Sequence, residues 1–375
     1  MTLTVGVIGG GQLARMMIPP AIELGLGIRV LAENAGESAG IAVTQLGDYR
    51  NVDDVLRFGE GVDVVTFDHE HVPQDVLLAL VAAGVAVHPG PDALVFAQDK
   101  LRMRERLGAL GLQVPEWAAV SSIADLDLFI AAHGGRAVVK TARGGYDGKG
   151  VRVVSAGSEV ADWFDDDDPL LVEELVEFRR ELSQMLARRP SGEIALWPLV
   201  ESIQRGGVCV EVIAPAPGAS ERLREVAAEI ATTIAAELGV TGDLAVELFE
   251  TTDDRLLVNE LAMRPHNSGH WSIDGAVTSQ FEQHLRAVLD LPLGDPSPRE
   301  PWTVMGNVLG GDYPELYPAY RHLLARDPGL KMHLYGKGVR PGRKIGHVNV
   351  SGDDLADLRA RAQHACDYLR GVVTE

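Results

Sequence analysis

The segment Lys140-Thr141-Ala142-Arg143-Gly144-Gly145-Tyr146-Asp147-Gly148-Lys149-Gly150 sets four glycines and two lysines between two apolar stretches, Ala137–Val139 and Val151–Val154. Glycines let backbone approach a ligand closely, so the N–H groups and cations of such a hairpin loop can close over a polyphosphate. The loop is not of the Walker type, because Gly148-Lys149 is followed by Gly150 where that motif requires Ser or Thr. A second pair of residues suits a divalent cation. If Glu250 pairs with Arg255 across the turn Thr251–Asp254, Glu247 faces Val258 and Glu260 faces Ala245. The two glutamates then share one sheet face as diagonal neighbours, ~7–8 Å apart at Cα, with Asn259 pointing away.

Other clusters point to anions. Arg264-Pro265-His266-Asn267-Ser268-Gly269-His270 offers a guanidinium, two imidazoles, an amide and a hydroxyl, a set suited to a small oxyanion. His266 and His270 are spaced i, i+4, but no HExxH pattern is present and Gly269 opposes a helix, so zinc is not expected. Lys331 to His347 holds Lys331, Lys337, Arg340, Arg343 and Lys344 and no acid, which suits a monophosphate. Glu173-Glu174-Leu175-Val176 ends an apolar strand, with Glu181 following; an extended backbone there can read an adenine edge while a carboxylate takes ribose hydroxyls. Gly9 to Ala14 fits G-x-G-x-x-G/A, with Glu33 about 20 residues on, and taken alone predicts NAD or FAD. The same tight turn also serves other phosphorylated ligands, or none.

These residues need elements to hold them. From the start, apolar strands at Thr4–Ile8, Ile28–Ala32, Val62–Phe67 and Val85–His88 alternate with helical stretches, which predicts a parallel sheet with helices on both faces. Pro19 and Pro20 predict a kink or an early stop in the first helix. His69-Glu70-His71 follows a predicted strand, at the carboxyl end where α/β ligands bind. One amphipathic helix, rich in cations at Lys100, Arg102, Arg104 and Arg106, is expected from Asp92 to about Leu110. After it, short β segments joined by Gly and Ser-Gly turns predict antiparallel sheet, then a helix near Ala219–Leu238 and a small α+β tail beyond the proline-rich stretch 292–301.

Composition excludes other classes. The chain has 375 residues, 46% hydrophobic and 23% charged, values of a globular protein long enough for two or three domains. Lys+Arg 34 against Asp+Glu 54 gives a net charge of −20, which opposes nucleic acid or an anionic membrane as partner. Small anions must therefore meet local basic sites. Cys209 and Cys366 form no CxxC, so neither a disulfide framework nor a zinc knuckle is indicated and the chain reads as cytoplasmic. The longest apolar run, Val76 to Val87, is well short of the ~20 residues that span a bilayer, and Gly9–Gln12 interrupt the stretch where a secretory leader would lie.

The chain resembles the ATP-grasp superfamily, and within it the branch that carboxylates an aminoimidazole ribonucleotide in de novo purine synthesis. The likeness is carried by Gly9-Gly10-Gly11-Gln12-Leu13, Phe67-Asp68-His69-Glu70, Gly144 to Gly150, Val258-Asn259-Glu260, Arg264 to His270, Tyr335-Gly336-Lys337 and Arg340-Pro341-Gly342-Arg343-Lys344, and so runs through nearly the whole chain. It departs from the family pattern at Lys100, often an arginine, and at Gln204, often a histidine. The resemblance implies an α/β and α+β fold: an N-terminal Rossmann-like parallel-sheet domain over 1–91, an ATP-grasp domain over 92–295 with a mobile lid at about 115–178, and a small C-terminal α+β domain over 296–375. It also implies a homodimer and the reaction of ATP, bicarbonate and 5-aminoimidazole ribonucleotide, through carboxyphosphate, to the N-carboxylated nucleotide, ADP and phosphate.

Carried over residue by residue, Lys100, Lys140 and the loop Gly145, Tyr146, Asp147, Gly148, Lys149, Gly150 and Val151 hold phosphates. Glu173, Glu174, Leu175 and Val176 take the adenine, Glu181 the ribose, and Gln204 and Asn259 complete the ATP site. Glu247 and Glu260 hold Mg²⁺ or Mn²⁺. Arg264, His266 and Asn267 cradle bicarbonate and, with Lys149, are the expected catalytic residues, while Gln12, Glu70, Tyr146, Lys149, Lys337, Arg343 and Lys344 take the aminoimidazole nucleotide. Three alternatives remain: a formate-dependent glycinamide ribonucleotide transformylase, an NAD-dependent oxidoreductase using the Gly9–Ala14 loop, and a non-catalytic nucleotide sensor.

Overall fold

A computed structural model describes residues 2–145, 150–165, 168–311, 313 and 315–373. Tyr146, Asp147, Gly148 and Lys149 of the glycine-rich loop lie outside the described residues.

The N-terminal part is a four-stranded parallel sheet of β1 (Thr4–Ile8), β2 (Gly27–Ala32), β3 (Val43–Leu46) and β4 (Val64–Phe67), in the order β3-β2-β1-β4. β1 and β4 are mostly apolar because both faces of the sheet are packed over: Val7, Ile8, Val64, Val65 and Phe67 are essentially inaccessible. Val85–His88 does not form a strand of this sheet; only Val87 bridges, to Val65, before a cis His88–Pro89 bond turns the chain. The first helix, Gln12–Glu23, runs on through Pro19 and Pro20 instead of stopping. Each proline removes one backbone hydrogen bond, but Met17, Ile18 and Ala21 are buried beside the sheet and the helix Gln280–Val288, and this packing outweighs the local penalty.

A second, antiparallel sheet contains β5 (Trp117–Val120), β6 (Ala137–Thr141), β7 (Val151–Val154) and β8 (Leu170–Glu174), in the order β5-β8-β6-β7. The glycine-rich loop joins β6 to β7. The third sheet has nine strands: β9 (Phe178–Arg188), β10 (Ile194–Leu196), β11 (Val200–Arg205), β12 (Val208–Ala214), β13 (Gly242–Thr251), β14 (Leu256–Ala262), β15 (Trp302–Leu309), β16 (Lys331–Leu334) and β17 (Lys344–Gly352). Its order is β14-β13-β9-β11-β12-β15-β17-β16, with β10 on β9, so the C-terminal strands continue the same sheet through the β12–β15 pairing.

The expected single helix from Asp92 to Leu110 is two, Pro91–Gln98 and Lys100–Ala109, broken at Asp99. Asp99 is extended (φ −130°, ψ 106°), and its carboxylate accepts the N–H groups of Leu101 and Arg102, capping the second helix. The break lets Lys100 N–H donate to Ala142 O and Asp99 pair with Arg143, tying the helix start to the glycine-rich loop.

Candidate active site

A cleft of about 1730 Å³ lies between the three sheets. Every described residue named above as an ATP, metal, bicarbonate or nucleotide contact lines it except Gly150, whose carbonyl accepts from Thr141 N–H at the root of the loop. Lys331 lies outside this lining, whereas Lys337, Arg340, Arg343 and Lys344 are part of it.

The acidic pair is closer in register than the sequence predicts. Glu250 pairs with Leu256 and not with Arg255, so that Leu248 meets Val258, one residue out from the expected register; Glu247 then pairs with Glu260, because Asn259 is an extra residue bulged between them. The two glutamates are thus direct cross-strand partners rather than diagonal ones. The bulge also turns Asn259 into the cleft, where its Oδ1 accepts from Lys140 Nζ at 3.1 Å. Burial, then the neighbouring Glu260 and Glu181, push the Glu247 carboxyl well above the usual carboxylate range. Burial likewise pushes Glu181 to about 7, with Lys140 opposing it. Crowded carboxylates of this kind are relieved by a divalent cation, and hard oxygen donors from two carboxylates are what Mg²⁺ takes alongside phosphate oxygens, so the residues present fit that ion.

Cations flank the pair. Lys100 Nζ stands 3.8 Å from Glu260 Oε1 and donates to Gly144 O at 3.0 Å. Lys140 Nζ is 2.7 Å from Glu173 Oε2, and the same carboxylate is paired with Arg104, a fully buried guanidinium. Burial alone would raise the Glu173 carboxyl, but Lys140 and Arg104 outweigh it and hold it below the ordinary range. Glu173 therefore keeps its charge and anchors Lys140, leaving to backbone any contact with a base. Past it, Glu174, Leu175 and Val176 run along the rim, and Phe178 stacks on Phe249 at 4.7 Å to form an aromatic wall that no sequence motif marked. Gln204 donates to Ser202 Oγ on the same side.

The other end of the cleft is the Arg264–His270 segment. Arg264 Nε donates to Glu70 Oε2 at 2.9 Å, and Glu70 Oε1 accepts from Met263 N–H, so the two residues form one clamp between the first sheet and β14. His266 Nε2 lies 3.5 Å from Glu247 Oε1 and its Nδ1 2.9 Å from Ser268 Oγ. Burial, then Arg264 and Lys344, lower the imidazole to about 3, so it is neutral at physiological pH. Asn267 is held by a reciprocal amide pair with Asn307 on β15, at 3.0 and 2.7 Å, and Asn307 also donates to Cys209 O. His270 is fully buried against Gln280, Tyr335 and His347, in the packing between α/β parts rather than in the cleft. Lys337 Nζ donates to Gln12 Oε1 at 2.7 Å, joining the C-terminal cations to the first glycine turn.

That turn is met by the chain's own carboxylates. Asp68 Oδ1 accepts Ala14 N–H at 2.8 Å, and a Cβ placed on Gly11 would collide with Asp68 Oδ2. Glu37 Oε2 accepts Gly10 N–H. The helix N-terminus that would bind a pyrophosphate is already capped by the chain's own carboxylates, which overturns the NAD alternative.

Comparison with known proteins places this geometry. The ribonucleotide synthetase preATP-grasp domain matches residues 1–98, the ATP-grasp domain residues 105–281, and the phosphoribosylaminoimidazole carboxylase C-terminal domain residues 303–361. The N5-carboxyaminoimidazole ribonucleotide synthase of Mycobacterium tuberculosis (strain ATCC 25618 / H37Rv) is 52% identical over 374 residues, covering 97% of this chain and 87% of that protein. The chain belongs to the N5-carboxyaminoimidazole ribonucleotide synthase family. The synthase of Corynebacterium ammoniagenes is likewise 52% identical, over 97% of this chain and 91% of its own. Among solved structures, the synthetase of Thermus thermophilus superposes with a TM-score of 0.87 at 37% identity, covering 99% of both chains. The Aspergillus clavatus synthase, solved with ADP and 5-aminoimidazole ribonucleotide, gives 0.88 at 30% identity over 98% of both.

Proposed function

We propose that this chain uses ATP to carboxylate 5-aminoimidazole ribonucleotide with bicarbonate, giving the N-carboxylated nucleotide, ADP and phosphate. One observation carries the reading: His266 Nε2 lies 3.5 Å from Glu247, so the pair suited to metal and phosphate adjoins the cluster suited to a small oxyanion. A γ-phosphoryl group held at the first is beside a bicarbonate held at the second, and phosphoryl transfer depends on positioning and charge neutralisation.

The ATP phosphates lie under Lys100, Lys140 and the glycine-rich loop, with adenine between the Glu174–Val176 backbone and the Phe178–Phe249 wall and ribose at Glu181. Glu247 and Glu260 hold Mg²⁺, or Mn²⁺, which supplies charge neutralisation at the transferring phosphoryl oxygens. Arg264, His266 and Asn267 orient bicarbonate so that an oxygen attacks the γ-phosphorus as ADP leaves. The carboxyphosphate formed loses phosphate to release CO₂ in the cleft, and the exocyclic amine of the nucleotide attacks the CO₂ carbon and gives up a proton to the phosphate just released. Lys337, Arg340, Arg343 and Lys344 gather the positive charge that a ribonucleotide monophosphate requires, beside Gln12 and Glu70.

The resemblance extends to a homodimer working in the cytoplasm, and the net charge of −20 opposes nucleic acid as a partner. Among the described residues, no helix is long and apolar enough to cross a membrane. ADP release measured with each substrate omitted in turn tests the reaction. Release must require both bicarbonate and 5-aminoimidazole ribonucleotide; turnover with neither, with formate in place of bicarbonate, or only with a different amine refutes it.

A further inference from the structure

Two hydroxyls stand behind His266, and their hydrogen bonds have only one consistent direction. The backbone N–H of Ser268 donates to His266 Nδ1 at 3.3 Å, and an amide N–H can only donate, so Nδ1 is the bare nitrogen of the ring. Ser268 Oγ also lies 2.9 Å from Nδ1 and 2.7 Å from Ser183 Oγ. If Ser268 gave its proton to Ser183, its oxygen would face Nδ1 as one lone pair against another. Ser268 must therefore donate to His266 and Ser183 to Ser268, a relay sealed from water since Ser183 and Ser268 are 1% and 2% exposed.

With Nδ1 an acceptor in a neutral ring, the ring proton is on Nε2, which faces Glu247 and the cleft. We infer that Ser268, through its backbone N–H and its Ser183-backed hydroxyl together, is a positioning residue that locks His266 in the Nε2–H form, so that the cleft meets a fixed donor. This inference rests on the bicarbonate reading for what the donor binds, but the tautomer itself does not depend on it. The charged groups facing the ring are Glu247 on β13, Arg264 on its own segment and Lys344 on β17. A neutral donor serves this site well: it binds an anionic oxygen in both ground and transition states without shedding a proton to the nearby carboxylates.

The test uses the full chain labelled with ¹⁵N-histidine, the His266 signal among 11 histidines being assigned by its loss in His266→Gln. The wild type should show a single Nε2-protonated ring. Ser268→Ala keeps the longer backbone N–H bond to Nδ1 and loses only the shorter hydroxyl one, so it should admit a minor share of the Nδ1–H tautomer and lower kcat/KM for bicarbonate about tenfold, the worth of one buried hydrogen bond, with KM for ATP unchanged. Ser183→Ala should do less, because Ser268 keeps its own proton to donate, and Ser268→Thr should restore both signals. An Nδ1-protonated ring in the wild type, a pure Nε2–H ring in Ser268→Ala, or an ATP KM rising in step with that for bicarbonate would each overturn the relay. If wild-type turnover proves independent of bicarbonate, the functional reading fails instead, and the tautomer measurement still decides the relay.

Discussion

Replacing Arg104 by Met keeps the length and apolar bulk of a side chain that is wholly inaccessible while removing its charge. Arg104 pairs with Glu173 and donates to Val258 O at 3.2 Å and Asn259 O at 2.6 Å. Glu173 retains Lys140 at 2.7 Å, so its charge is not wholly uncompensated. The two carbonyls lose their donors, at about 1–3 kcal/mol each when buried. Breaking a buried pair by removing one partner typically costs about 3–5 kcal/mol. These contributions overlap, and the expected loss is about 3–5 kcal/mol, a large share of the ~5–15 kcal/mol that holds a domain folded. The carbonyls belong to the bulge that aims Asn259 and Glu260, so the KM for ATP should also rise. Urea denaturation followed by circular dichroism measures the loss, with Arg106→Met as control. That guanidinium is 38% exposed, beside a half-exposed Glu237 at 3.5 Å, and its replacement should stay within about 0.5 kcal/mol. Because Lys140 and Arg104 depress the Glu173 carboxyl, the stabilisation exists above the unfolded carboxyl pKa of about 4.3 and disappears as pH falls through the folded value. The gap between Arg104→Met and the wild type should therefore close in acid. An Arg104→Met protein within about 1 kcal/mol of the wild type at neutral pH refutes the buried-triad reasoning.

Glu260→Gln should abolish paramagnetic Mn²⁺ binding in the presence of ATP and lower kcat by more than about 100-fold; unaltered Mn²⁺ affinity would remove this carboxylate from the metal site. Glu181, raised to about 7, binds a proton in the folded apo protein that the unfolded chain has released. Its contribution to stability is present below the unfolded carboxyl pKa and is lost as pH rises through about 7, so a melting-temperature decline over that window should be shallower in Glu181→Gln. Identical pH profiles for the two proteins would show that Glu181 titrates normally.

Much of the site was legible because its chemistry is local in sequence. A glycine-rich loop with two lysines and the Arg264–His270 cluster stand out as candidate anion sites through residue type and spacing alone, and four of the five cations between Lys331 and His347 do line the cleft. What was misread depended on contacts distant in sequence. The β13–β14 register hinged on a one-residue shift at the turn, which sets Glu250 opposite Leu256, and on one bulged residue, Asn259, and alternation along a strand carries no mark of either. The helix through Pro19 and Pro20 was missed because local propensity omits the burial that outweighs it. Asp99 looked like one more helical residue until its carboxylate proved to cap the next helix and its backbone to bridge to Arg143.

The dinucleotide motif shows the same division. Gly9 to Ala14 satisfies the pattern, and only Asp68 and Glu37, brought in by β4 and the loop after β2, reveal that the helix end is already occupied. The sequence by itself determined which residues carry charge, which turns are free to approach a ligand, and that anions must be met locally in a chain of net charge −20. Tertiary structure alone decided how that charge is used: Arg104 and Lys140 gather on Glu173, Glu247 comes opposite Glu260, Ser183 and Ser268 line up behind His266, and Asn307 reaches from β15 to hold Asn267. The physical reason is that hydrogen bonds and ion pairs act over a few ångströms, and residues a hundred positions apart come within that range only when the sheets have packed.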